Sequence, residues 1–391
     1  MTDFHAEAEA MRAQLTAWRR DFHMHPELAF EEHRTAEIVA QHLESLGYQV
    51  ETGVAKTGVV GLLEGASSGP VVMLRFDMDA LAVTEATGAA YASQAPGRMH
   101  ACGHDAHVAI GMGLAQLFAD HQDEIAGTIK LVFQPAEEGG HGAAAMVREG
   151  VLESPAPDVF LATHVWIDKP VGTADVTPGP AMAAAEEFSC TIYGEGGHGA
   201  APHQTVDPIT TAAQVITALQ TVVSRNVAPL EEAVISIGTI HGGDAFNVIP
   251  PRVEMTGTVR FFKPEVRELV LRRLREVIEG VAAACGARAE LEVHTISPAV
   301  INDAETAEVV RHAAETVVGP EQVTVGVKTM GSEDAAFFME DVPGCYFFLG
   351  AANPEKGLVA PHHNPHFDVD EEVLVLGVAI LAHAAATYLM K

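Results

Sequence analysis

Basic residues are scarce. The 391-residue chain carries 23 Lys and Arg against 53 Asp and Glu, a formal net charge of −30. A field of that sign repels phosphate backbones and anionic lipid, and no local basic patch offsets it, so nucleic acid and membrane surfaces are excluded as partners. Cysteine is scarce too. Cys102, Cys190, Cys285 and Cys345 are scattered without paired spacing, which excludes a disulfide framework or a zinc ribbon. Met1 to Ala10 holds Asp3, Glu7 and Glu9 and lacks the basic start and apolar core of a secretory leader, so a cytoplasmic location is expected. There is no internal repeat or low-complexity tract. One long apolar run, Val373 to Met390, approaches the length that spans a bilayer. Gly377, His383 and Thr387 interrupt it and Asp370, Glu371 and Glu372 precede it, so a buried C-terminal helix is expected there instead.

What is present is apolar material. Hydrophobic residues make up 48% of the chain, enough to fold against the self-repulsion, and at ~150 residues per domain the length suggests two or three cores. Helical spacing runs from Ala6 to about His23 and from Glu31 to Leu46. Strand-like runs follow at Val59 to Leu63, Val71 to Phe76, Thr128 to Phe133 and Val159 to Thr163, interleaved with helical patterns at His104 to Ala119 and Gly142 to Glu149. Alternating strands and helices predict a mostly parallel sheet covered on both sides. After Pro180 the pattern becomes strand (Phe188 to Tyr193), helix (Pro208 to Ser224), strands (Val234 to Ile240, Val253 to Phe262), helix (Glu265 to Cys285) and strand (Ala289 to Ile296). That order is the βαββαβ signature of a ferredoxin-like module. Alternation then resumes, with helices at Asp303 to Val318 and Ser332 to Met339 and strands at Val323 to Val327 and Tyr346 to Leu349. The expectation is an α/β domain formed by residues 1–185 and 298–391, interrupted by a smaller domain at 186–297.

Polar chemistry collects where strands end. The first runs into Asp77 and Asp79, the second into Glu137 and Glu138, the third into His164. Ligands in open α/β sheets bind outside the carboxyl ends of the strands, so these groups are expected on one rim. The segment Met99-His100-Ala101-Cys102-Gly103-His104-Asp105-Ala106-His107 packs thiol, imidazole and carboxylate donors ahead of a helix. Residues two apart on a helix diverge, so Cys102 and His104 share a centre only from a non-helical turn, which Gly103 permits. Such donors suit Zn²⁺ or a similar first-row ion; a helix start with a buried cysteine is the plainer alternative. Of the adjacent Glu137 and Glu138, one can hold metal while the other acts as a base. Pro361 to Asp368 offers His362, His363 and His366 in a Pro-constrained loop. Gly194-Glu195-Gly196-Gly197-His198-Gly199 fits a dinucleotide fingerprint, but Pro202 and Pro208 forbid an immediate long helix and no acid follows at the required distance. His198 in that turn, with Asn247 and Arg260 nearby in the same module, is a candidate substrate contact; Arg260 suits a bidentate carboxylate.

Taken together, the segments Arg19 to Glu27, Arg75 to Leu81, Met99 to His107, Gln134 to Gly139, His164 to Trp166, Gly197 to His203 and His363 to Phe367 resemble the aminoacylase/carboxypeptidase family of metal-dependent peptidases, in particular its hippurate-hydrolase and auxin-conjugate-hydrolase branch. The resemblance spans nearly the whole chain. It implies two divalent metal ions, zinc first, with manganese, cobalt or nickel as alternatives. Cys102 would be the bridging ligand, joined by His104, Glu138, His164 and His363, with Glu137 as general base and Asp79 orienting a ligand imidazole. In the wider family the bridge is usually an aspartate, and a His-x-Asp motif stands where this chain has Asp77-Met78-Asp79; the role of Asp77 is left open. It further implies that His198 donates to the developing oxyanion, often across a dimer interface, that Asn247 and Arg260 hold a substrate carboxylate, and that the smaller domain is a lid and dimerisation surface. The implied reaction is hydrolysis of N-acyl (acetyl, benzoyl or related) L-amino acids. The alternatives are a dipeptidase or carboxypeptidase of the same family, or a metal-binding pseudoenzyme.

Overall fold

The computed structural model describes residues 2–390. It divides into two compact units, one formed by Met1–Ala181, Val300–Lys328 and Asp334–Lys391, the other by Met182–Ala299 and Thr329–Glu333.

The larger unit is built on an eight-stranded sheet. Its first strands are β1 (Gln49–Val54), β2 (Gly58–Glu64), β3 (Ser67–Asp77), β4 (Ala126–Gln134), β5 (Val159–Pro170) and β6 (Ala174–Asp175). Across the sheet the order is β1, β2, β4, β3, β5, then Gly344–Ala352, β6 and Val323–Thr324. The central pairs β4–β3, β3–β5 and β5 with Gly344–Ala352 are parallel, while β1–β2 and β2–β4 are antiparallel. Central parallel strands are covered on both faces, which is why Val71 to Leu74 and the whole of Gly344–Ala352 read as continuous apolar runs. The helices α1 (Phe4–Ala10), α2 (Arg12–Met24), α3 (His33–Ser45) and α4 (His104–Asp120) join this unit, with Ala304–Val318 and Glu372–Leu389. The predicted first helix is split at Met11, where the Asp3-capped turn ends and a second helix begins. β1 escaped the sequence reading because its residues are mostly exposed and follow no apolar alternation.

Among the described residues one helix, Glu372–Leu389, is long and apolar enough to cross a membrane, with a mean hydropathy of 1.8. Its window is 72% buried within the protein, packed on α1, α4, Ala304–Val318 and the sheet. Helix Glu372–Leu389 and α4 are apolar nearly all round for one reason: each lies inside the core and has no solvent face.

The smaller unit carries an antiparallel sheet in the order Ala233–His241, Arg252–Phe261, Ala184–Tyr193, Arg288–Ser297. Helices Pro208–Asn226 and Pro264–Ala284 pack together and cover it through Val215, Leu219, Val222, Val270, Leu274 and Ile278. The chain order is βαββαβ.

Two local expectations are corrected. Of Ser332 to Met339 only Ala336–Met339 is helical. The preceding residues are drawn off the helical path: Ala183 N donates to Thr329 and Gly331 carbonyls, and Arg260 Nη1 donates to Ser332 Oγ at 2.7 Å. Of Val323 to Val327 only Val323–Thr324 pairs, with β6; Gly326, at φ 103°, turns the chain away.

Candidate metal centre

β4, β3 and β5 lie side by side and parallel, so their carboxyl ends face one rim. β3 delivers Asp77, the loop after β4 delivers Glu137 and Glu138, and β5 delivers His164. Gly103 has φ 92°, a left-handed conformation that turns the chain between Cys102 and the start of α4 at His104. A Cβ there would sit 2.2 Å from Val165 Cγ2, so glycine is required for closeness as well as for its backbone angle. His363 comes from the far end of the sequence, held at φ 65° by its N–H donating to the Ala101 carbonyl at 2.8 Å. A non-glycine residue with that backbone costs free energy that the surroundings must offset.

The donors converge. Cys102, His104 and His164 present ligand atoms within 4.8 Å of one another, as do Cys102, Glu138 and His363, and His104, Glu137 and Glu138. Cys102 Sγ stands 3.5 Å from His164 Nε2, and His363 Nε2 3.1 Å from Glu138 Oε1. All five residues expected as ligands therefore join one cluster, with Glu137 beside it. His104 Nε2 is buried with no hydrogen-bond partner, and the buried Glu138 Oε1 has none beyond its ion-pair contact with His363. Orphaned buried polar atoms are costly unless something fills the space between them. Thiol, imidazole and carboxylate donors aimed at a common point fit a first-row divalent cation.

The electrostatics fit as well. Burial, reinforced by the Glu138 carboxylate, pushes the Cys102 thiol well above its ordinary value. Burial opposes charge on His104, yet the Asp77 carboxylate and the hydrogen bond the ring donates to Asp79 outweigh it, and its pKa rises well above the usual range. The pocket thus holds excess negative potential that a proton satisfies when no other cation is there. His164 behaves oppositely: burial, with His107 and His362 nearby, holds it neutral far below its ordinary pKa, the state in which imidazole ligates.

Behind the donors sits a buried frame. Asp79 was expected to orient a ligand imidazole with its carboxylate. Its carbonyl oxygen lies 2.8 Å and its carboxylate Oδ1 3.4 Å from His104 Nδ1, and its two carboxylate oxygens also accept from the Glu137 and Glu138 amides at 3.0 and 2.9 Å. Glu32, fully buried, accepts from the Ala136 amide at 2.9 Å and from Thr57 Oγ1 at 2.6 Å. Together they brace the loop at Ala136, whose φ is 55°. The sequence gives no sign of this use of Glu32, since an acid before a helix reads as an ordinary N-terminal charge.

In the smaller unit His198 is exposed and pairs with Val248 in a two-stranded ribbon, and Gly199 N donates to the Asn247 carbonyl at 2.8 Å. His198 and Asn247 are neighbours. Arg260 is not: it lies near the far end of Arg252–Phe261, eight positions along from Arg252, ~26 Å of extended chain. The sequence reading placed all three together; an extended strand separates them. Arg260 is half-buried, and burial lowers its pKa without threatening its charge. The glycine turn before His198 leads into a ribbon and a short 3₁₀ turn, with no dinucleotide-binding helix.

Residues 73–387 match the model of peptidase family M20/M25/M40. Thermostable carboxypeptidase 1 of Saccharolobus solfataricus is 40% identical, covering 94% of this chain and 92% of the relative. N-acetyl-L-cysteine deacetylase of Bacillus subtilis is 40% identical over 96% and 88%, and IAA-amino acid hydrolase ILR1-like 4 of Arabidopsis thaliana 39% over 95% and 85%. Among solved structures, the Bacillus subtilis YXEP protein, described as a dinuclear metal binding peptidase of the M20 family, superposes with a TM-score of 0.85 at 35% identity, covering 97% and 98%. A parallel-sheet rim carrying convergent metal donors, and similarity of this extent, lead to one conclusion: the chain belongs to peptidase family M20/M25/M40 and is a hydrolytic enzyme acting on amide bonds.

Proposed function

We propose that this protein is a metal-dependent amidohydrolase that cleaves N-acyl amino acids to a carboxylate and a free amino acid. The observation that carries the reading is the convergence of Cys102, His104, Glu138, His164 and His363 around buried atoms without partners. These five residues would hold two divalent ions, zinc by the chemistry of the donors. A bound pair of such ions supplies Lewis acidity, acidifying water and polarising an amide carbonyl. Glu137 takes the proton from the attacking water and delivers it to the leaving nitrogen. Its amide is fixed by Asp79, which holds the base in place while its partner Glu138 binds cation. General base catalysis of this kind contributes about 10²–10⁴ in rate.

On the smaller unit, His198 donates to the oxyanion, while Asn247 and Arg260 hold the free carboxylate of the substrate. The length of Arg252–Phe261 bears on this directly. From Arg252 to Arg260 the strand runs ~26 Å, which favours His198 and Arg260 reaching one small substrate from different protomers. On this reading the working form is a homodimer joined through the smaller unit, which also acts as a lid. The site of action is the cytoplasm, in keeping with unpaired cysteines.

A second reading, carboxypeptidase, is favoured by the relative so named. Comparing an N-acetyl amino acid with an unblocked dipeptide separates them: a requirement for a free α-amine removes the proposed substrate class. The central test measures metal content and turnover in native protein, chelated protein and Glu137→Gln. Two ions per chain, chelator-sensitive hydrolysis and a metal-replete Glu137→Gln variant slowed at least a hundredfold are expected; full turnover in that variant removes Glu137 from the mechanism.

A further inference from the structure

Asp77 and His107 lie beside the donor cluster, and with His104 they form another group whose ligand atoms fall within 4.8 Å. Their hydrogen bonds say that neither is a ligand. Asp77 Oδ1 is bonded to His107 Nδ1 at 2.5 Å, and Asp77 Oδ2 to Arg75 Nη1 at 2.7 Å. Arg75 is itself fixed, with Nε donating to Gln134 Oε1 at 2.7 Å. Both ring nitrogens of His107 are also engaged, because Nε2 lies 3.0 Å from the Val165 amide. An amide N–H can only donate, so Nε2 is the acceptor and the ring proton sits on Nδ1, facing Asp77. Every one of these groups is buried.

Val165 is where the bonds meet. Its N–H is held by His107, and its carbonyl accepts from His164 Nδ1 at 2.7 Å and from His362 Nε2 at 3.0 Å. The bond to His164 Nδ1 leaves His164 Nε2 unprotonated and directed toward Cys102 Sγ. The His107 ring meets the His164 ring edge-to-face, with centroids 4.7 Å apart and planes at 79°. The orientation of His164 therefore depends on the Val165 peptide and the His107 ring, and both depend on Asp77.

We propose that Asp77 and His107 are a positioning pair: Asp77 fixes the tautomer of His107, and His107 anchors the Val165 peptide so that His164 presents its Nε2 to the cation site. This rests on His164 being a ligand, and it gives Asp77 a purpose as the tautomer lock. Residues behind a ligating histidine change metal affinity by about 10–100-fold when altered.

The test uses Co²⁺ as the probe, reading affinity and the visible d–d spectrum of the substituted enzyme. His107→Leu, similar in bulk but without an acceptor for Val165, is expected to lose about 10–100-fold in Co²⁺ affinity and to shift the spectrum. His107→Gln, whose amide oxygen can take the place of Nε2, is expected to recover most of the affinity, a rescue that a space-filling role would not give. His164→Ala serves as the reference. Unchanged Co²⁺ binding in His164→Ala overturns the ligand assignment and the proposal with it. An altered His164→Ala beside an unaltered, folded His107→Leu overturns the positioning role alone. Should His107→Leu fail to fold, the ¹⁵N resonances of His107 in the zinc-loaded wild-type protein decide: a protonated Nδ1 with a bare Nε2 is expected, and the opposite tautomer overturns the proposal.

Discussion

His23 shows how one residue ties stability to pH. It is buried beside Asp105, with Nδ1 and Oδ2 2.7 Å apart, and Arg19 Nε reaches the same oxygen at 2.8 Å. Burial opposes its charge, but the attraction and hydrogen bond of Asp105 prevail, raising its pKa to about 9. A histidine with a folded pKa above its unfolded value stabilises fully below about pH 6.5, and that contribution fades as the pH climbs through 9. The stability deficit of His23→Leu against the parent should accordingly be large at pH 6 and shrink by on the order of 3 kcal/mol by pH 10. Chemical denaturation of both proteins across that range checks it; a constant deficit would mean His23 is neutral in the folded state. The basicity has no sequence signature. His23 stands in a helical run like any amphipathic histidine, and its acid lies 82 positions away.

Between β5 and α4 the decisive position is Gly103. Gly103→Ala forces a side chain into a left-handed backbone and against Val165. The backbone alone costs about 1–2 kcal/mol, and the contact displaces either Cys102 or the β5 strand that carries His164. We expect a lowered Tm together with weakened Co²⁺ binding, whereas Gly88→Ala, also at positive φ but with open space around it, should lower Tm modestly and leave metal binding intact. Equal loss of metal binding in both would show that the Gly103 turn has no particular part in presenting the donors. At this scale the sequence was readable where periodicity governs. α4, the central strands of the larger sheet, the strands of the smaller unit and the buried C-terminal helix follow from apolar spacing. The segment 329–335 was misjudged because its path is set by Ala183, Arg260 and the core carboxylate of Asp334, which accepts from Gln134 and Ala143. Ala183, Arg260, Gln134 and Ala143 are all remote from it in sequence.

For the whole molecule, the separation of His198 from Arg260 makes the oligomer testable by complementation. His198→Ala and Glu137→Gln homodimers should each be nearly inactive. Mixed and allowed to exchange subunits, they should regain activity, because about one site in four then pairs an intact Glu137 with an intact His198 from the other chain. Absence of any recovery after demonstrated exchange would place His198 in its own protomer's site. Arg260→Leu should raise KM for carboxylate-bearing substrates far more than for their amides, as expected where a charge-assisted hydrogen bond worth about 1.5–3 kcal/mol is lost.

From sequence alone came the candidate donors, the strand ends that bear them, the inserted βαββαβ order and the family likeness, because each is written in local spacing or in short motifs. Tertiary structure decided the rest. Which oxygen of Asp79 meets which amide, that Asp77 bonds His107, and how Glu32 braces a loop 104 positions away all depend on distances between residues remote along the chain. Hydrogen bonding and burial act through space at a few ångströms, and a linear pattern records neither.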